Sequence, residues 1–124
     1  MIEIKIPFKT PTSNHLYWHK GNIKIMKSEA KELRERINQI CLEIPNTLKE
    51  GLKEKLKVEV EIHENWYTKK WGIARKDISN REKFLTDSVF KSLGIDDKLI
   101  FEHTMKKVQS ETEFAIIKIS IINQ

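Results

Sequence analysis

The sequence predicts one α/β domain, residues 1–124, in which a mixed β-sheet carries two main helices packed on it, in β-α-β-α-β-β order. Three observations predict this. Apolar residues alternate at period two near the start and the middle of the chain, they recur at three- and four-residue steps in two longer stretches, and the two patterns interleave. A length of 124 residues suits a single core that buries about two-thirds of the unfolded surface.

Ile2, Ile4, Ile6 and Phe8 alternate with Glu3, Lys5 and Pro7, which predicts a half-buried strand ending near the proline. Thr10 to Asn22 is rich in turn formers, Pro11, Thr12, Ser13, Asn14 and Gly21 among them, and reads as a loop. From Ser28, a plausible N-cap, Ala30, Leu33, Ile37, Ile40, Cys41 and Ile44 form a helical stripe that Pro45 ends. Leu56, Val58, Val60 and Ile62 then alternate with Lys57, Glu59, Glu61 and His63 as a second strand. After an aromatic and cationic run from Asn65 to Lys76, Asn80 can cap a helix. Leu85, Val89 and Leu93 form its stripe, Phe84 and Phe90 flank it, and Gly94 is its left-handed terminator. Strands near Ile100 to Val108 and Phe114 to Ile122 complete the order. No internal repeat or linker interrupts it.

Composition narrows the function classes. Hydrophobic residues make up 39% and charged residues 33%, the balance of a folded, highly charged domain rather than a disordered chain. No apolar run reaches membrane-spanning length, and Met1 leads directly into the first alternation without a leader pattern, so no membrane role and a cytoplasmic location are expected. The lone Cys41 excludes an internal disulfide and lies on the helical stripe, where a small buried hydrophobe is expected.

The net charge of +5 is unevenly placed. Residues 1–27 hold five lysines against Glu3, and residues 66–107 hold ten cations against six acids. Two basic segments therefore carry the whole excess and suit a polyanion. Lys20 and Lys24 in the first, and Lys69, Lys70, Arg75, Lys76, Arg81 and Lys106 in the second, are the candidate contacts to such a polyanion, nucleic acid among them, the blander reading being that they simply solvate exposed faces.

Within the second segment stand Asp77, Ser79, Lys83 and Asp87, followed by Gly94, Asp96 and Asp97. Lys83 and Asp87 share a helix face one turn apart. A helix folded back on the sheet would let Asp96 or Asp97 converge with Asp77. Two or three convergent aspartates beside a lysine suit a hard divalent cation and phosphodiester hydrolysis, with the ammonium stabilising charge in the transition state. The blander reading is an i, i+4 pair at Asp87 and ordinary turn residues at Asp96 and Asp97.

At these residues the sequence resembles the RusA family of Holliday junction resolvases. The run from Arg75 to Lys83 is similar to that family's Arg-Arg-Asp-x-Asp-Asn-x-x-Lys, Gly94 to Asp97 to its Gly-x-x-Asp-Asp, and its Pro-x-Ser/Thr-x-Asn loop after the first strand is echoed by the stretch from Pro11 through Asn14 to Tyr17. The resemblance implies a homodimeric endonuclease that uses magnesium, or manganese in its place, to nick four-way DNA junctions symmetrically. It implies metal ligands at Asp77 and Asp97, assisted by Asp96 or Asp87, and a catalytic lysine at Lys83. The family's association with phage-like elements adds a phage-encoded protein acting on nucleoid DNA in a bacterial host. Ser79 departs from the pattern, which has an aspartate there. Metal affinity then falls, a neighbour such as Asp96 or Glu82 substitutes, or cleavage is lost and a branched-DNA-binding protein remains.

His15 and His19 share the spacing of a helical zinc pair but sit in a predicted loop, so His15 reads as a phosphate or substrate contact beside Asn14. Trp66, Tyr67 and Trp71 among lysines suit either stacking on unpaired bases or packing in the core or a dimer interface.

Overall fold

The computed structural model describes residues 1–12 and 17–122. The first alternation becomes β1 (Ile2–Ile6), with Ile2, Ile4 and Ile6 buried and Glu3 and Lys5 exposed. The expected loop holds a strand, β2 (Tyr17–Lys20), which forms a hairpin with β3 (Ile23–Met26) just beyond it, Tyr17 facing Met26. Gly21 at φ +62° supplies the positive angle that its two-residue turn requires. Strands of four residues on either side of that turn are too short to show the long alternation that announces β1, so the hairpin was not legible as strand.

The first stripe forms α1 (Ser28–Leu42) and buries Ala30, Ile37 and Cys41. Its cap differs from expectation: Lys27 occupies the N-cap without a capping hydrogen bond from its side chain, and Ser28 is already helical. A short α2 (Asn46–Glu50) follows Pro45, then β4 (Leu56–Glu64), which buries every second residue from Leu56 to Glu64. The second long helix, α3 (Ile78–Leu93), starts three residues earlier than Asn80 would set it, because the Asp77 side chain accepts from the Ser79 amide and caps it first. Gly94 ends it at φ +69°, as expected. A 3-10 turn at Asp97–Leu99 leads into β5 (Ile100–Gln109), and β6 (Phe114–Ile121) completes the chain.

The four long strands form one mixed sheet in the order β1-β6-β4-β5. β6 lies antiparallel to both β1 and β4, whereas β4 and β5 are parallel and joined through α3. α1 and α3 pack against each other, with Arg34 Nε donating to Ser88 Oγ at 3.2 Å. One core joins Ile4, Ile37, Val58, Val60, Phe84, Leu85, Val89 and Ile117. The expected single α/β domain with a mixed sheet is therefore observed, with a short third helix and a hairpin added.

Candidate active site

Two features set the ends of α3. At its start, Glu64 is 1% exposed and accepts Arg81 Nε at 3.0 Å and Lys76 Nζ at 3.1 Å. A buried carboxylate at the end of β4 needs such partners to offset its desolvation. Arg81, expected on DNA, is thus turned inward and neutralised, and Lys76 is held by Glu64 and by the Asn65 carbonyl. Both cations also lie near the Trp66 ring, as does Lys107 at 4.9 Å.

Asp77 stands exposed beside this cluster. Its Oδ1 accepts the Ser79 hydroxyl at 2.8 Å and the Ser79 amide at 3.0 Å. These two donors, the hydroxyl first, hold its carboxyl below the ordinary carboxylate range, with smaller help from Lys107 and Arg81. Position 79 therefore acts as a hydrogen-bond donor to Asp77 instead of a second source of negative charge.

Further along α3 a cleft of about 350 Å³ opens between the helix and the start of β5, lined by Glu82, Lys83, Thr86, Asp87, Asp97, Ile100 and His103. Lys83 and Asp87 are exposed, and among the described residues neither has an ion-pair partner despite their i, i+4 spacing. Asp97 likewise keeps its carboxylate uncommitted. Asp96 borders the adjoining depression with Asp87 and Asp97, but its side chain caps the 3-10 turn by accepting from the Lys98 amide at 3.0 Å.

The structure thus brings Lys83, Asp87 and Asp97 to one cleft. Asp77 is not among the residues that line it: ten residues of helix separate Asp77 from Asp87, about 15 Å along the axis. Glu82, a conceivable substitute ligand, is 7% exposed, and its Oε1 already contacts the Thr86 hydroxyl and His103 Nε2. His103 was not singled out from the sequence. Twenty-one positions separate it from Glu82, and only the placement of α3 against β5 makes them neighbours.

Magnesium suits hard oxygen donors and is commonly held by one or two carboxylates with several waters. Asp87 and Asp97 offer that donor chemistry. No group of three or more His, Cys, Asp or Glu able to hold a metal is assembled among the described residues, so the fit is to a two-carboxylate, water-rich site.

Of the expected DNA contacts, Lys24, Lys69, Lys70, Arg75 and Lys106 are exposed. Asn14 and His15 lie outside the described residues, as does the Lys20 side chain. The aromatic cluster divides. Trp66 is 4% exposed and donates its indole N–H to the Ile62 carbonyl at 3.1 Å, whereas Trp71 is 81% exposed at φ +60° on the tip of a loop closed by a Tyr67–Ile73 bridge. A larger groove of about 640 Å³ runs beside Tyr67 and Trp71 at the far end of β5. Its carboxylates are Glu111 and Glu113, the latter paired with Lys9, and no aspartate lines it, so Asp87 and Asp97 gather at the smaller cleft and not here.

Carboxylate oxygens beside an uncommitted ammonium, in an open cleft of a basic domain, have the donor chemistry that suits a phosphodiester. The chain matches the family described as Endodeoxyribonuclease RusA over residues 7–121 and belongs to it. Membership implies Holliday junction resolvase nuclease activity on branched DNA. No individual curated protein matches the chain. Among the described residues no helix is long and apolar enough to cross a membrane.

Proposed function

We propose that this protein cuts four-way DNA junctions by magnesium-dependent phosphodiester hydrolysis, manganese serving in its place, as a homodimer that makes paired symmetrical nicks. The observation that carries the reading is the shared cleft of Lys83, Asp87 and Asp97. Asp97 and Asp87 would hold the ion, with Asp96 beside them. When bound, magnesium supplies a water of lowered pKa and screens phosphate charge. Lys83 stabilises the negative charge that builds on the phosphate oxygens in the transition state. Exposed Lys24, Lys69, Lys70 and Arg75 hold the DNA backbone, so affinity falls steeply with salt. The family motif assigns a further metal-binding carboxylate to Asp77, which in the single chain stands toward the other end of α3.

A second reading is a branched-DNA-binding protein that no longer cuts. It is favoured by Ser79, whose hydroxyl ties up Asp77 Oδ1 where the family pattern would add charge. One gel separates the two. A labelled four-way junction with magnesium gives symmetrical nicks under the first reading, and Asp97→Asn keeps the retarded complex while losing product. A retarded complex without product at any magnesium or manganese concentration establishes the second.

A further inference from the structure

A sheet of four strands in the order β1-β6-β4-β5 has two edges, and they are unlike. β1 is five residues long and stops before Pro7, a short edge of the kind proteins use to prevent unwanted pairing. β5 is ten residues long, contains no proline, and is exposed along nearly its whole length. It pairs only with β4, so the backbone groups of its outer side have no partner strand among the described residues. His103 and Met105 sit beside Val58 and Val60 on the face that carries α3, and the same face leaves Phe101 62% and Met105 43% exposed. A long unpaired edge bordered by exposed apolar side chains is a template for another strand.

We infer that the occupant is a second copy of this chain, its β5 running antiparallel to the first about a two-fold axis through Thr104. The side-chain order makes this pairing self-complementary. Centred on Thr104, it sets Glu102 opposite the partner's Lys106 and Lys106 opposite the partner's Glu102, so each dimer gains two opposite-charge cross-strand pairs. It also sets Phe101 against the partner's Lys107 stem and His103 against the partner's Met105, which covers both exposed apolar side chains. A shift to Glu102 or Lys106 as the centre would put like charges face to face. A shift to Met105 would put His103 against Lys107. No other two-fold register within the strand gives Glu102 a lysine.

This interface deepens the homodimer of the proposed function but rests on the edge strand, touching the cleft only at its β5 residues Ile100 and His103 and leaving Lys83, Asp87 and Asp97 outside the pairing. The test is a charge swap on the full-length chain, read by sedimentation velocity with circular dichroism as the folding control. Glu102 and Lys106 are exposed, so their reversal leaves the fold intact. E102K alone and K106E alone each turn two attractive pairs into two like-charge pairs and raise the dimer dissociation constant about tenfold. The double variant E102K/K106E restores the parental value, because the pairing is reciprocal. A second measurement is independent of charge: Thr104→Cys lies on the axis and forms a covalent dimer on mild oxidation, whereas Val108→Cys, far from its own copy, does not. Cys41 is buried and does not compete.

A parental chain that stays monomeric overturns the inference. So does a dimer indifferent to the single reversals, or one that the double variant fails to restore. Because assembly is the readout, a dimer that pairs this way and does not cut counts against the nuclease reading alone. A monomer that cuts counts against the interface and the paired nicks, not against hydrolysis.

Discussion

Replacing Glu64 by alanine removes the one carboxylate that ties the end of β4 to the start of α3. Oε1 accepts Arg81 Nε at 3.0 Å, and Oε2 accepts Lys76 Nζ at 3.1 Å. The Arg81 side chain is only 8% exposed, so its guanidinium is left inside the fold with no carboxylate to offset it and only the Trp66 ring beside it. Breaking a buried pair in this way costs about 3–5 kcal/mol. Lys76, 28% exposed, can turn toward water and adds little. An unfolding entropy of about 2.1 cal/mol/K per residue gives a chain of this length about 0.26 kcal/mol/K, so the melting temperature drops by about 12–19 °C. Thermal melts followed by far-ultraviolet circular dichroism measure this directly. Glu64→Gln keeps one acceptor and should lose about half as much. A drop of less than about 3 °C for the alanine variant would mean that water reaches Arg81 in the folded protein, and the burial argument would fail.

Four further outcomes are expected. Asp77→Asn keeps a side-chain acceptor at the α3 N-cap, so its melting temperature and junction binding stay parental while cleavage is lost; cleavage at the parental rate removes Asp77 from the metal site. Ser79→Asp replaces a hydroxyl donor by the family's carboxylate and should lower the magnesium concentration needed for half-maximal cleavage; an unchanged requirement means that Ser79 is no deficit. Trp71→Ala, at an exposed loop tip, should weaken junction binding without altering the melt, and an unaltered affinity would show that the indole does not stack on DNA. Burial pushes the Cys41 thiol up to about 11, so a thiol reagent at pH 8 should label it only as fast as the chain unfolds, and rapid labelling of the native protein would contradict its burial.

How much of the site was legible depended on range. Lys83 and Asp87 are one helical turn apart, and their common face follows from the 3.6-residue period. The pairing of the Glu64 carboxylate with Arg81 spans seventeen positions and crosses from strand to helix, so Arg81 read as one more surface cation. Asp77 was legible as a functional candidate but not as a cap, because Asn80 offered an equally good capping side chain three residues on. The geometry chose Asp77, whose Oδ1 reaches both donors of Ser79.

The alternation of β1, β4 and β6, the stripes of α1 and α3, the glycine at the end of α3 and the concentration of cations in two segments were all readable from the chain alone. Each is a local consequence of side-chain period, left-handed backbone freedom or composition. Tertiary structure alone decided that Asp97 returns to the Lys83 face while Asp77 stays toward the other end of α3, that His103 meets Glu82, that Trp66 is buried and Trp71 exposed, and that β5 rather than β6 lies at the sheet edge. Those outcomes depend on how the helix crosses the sheet and on strand order, both set by burying one shared apolar surface, and no short-range pattern encodes the distance between residues that meet only after that surface has closed.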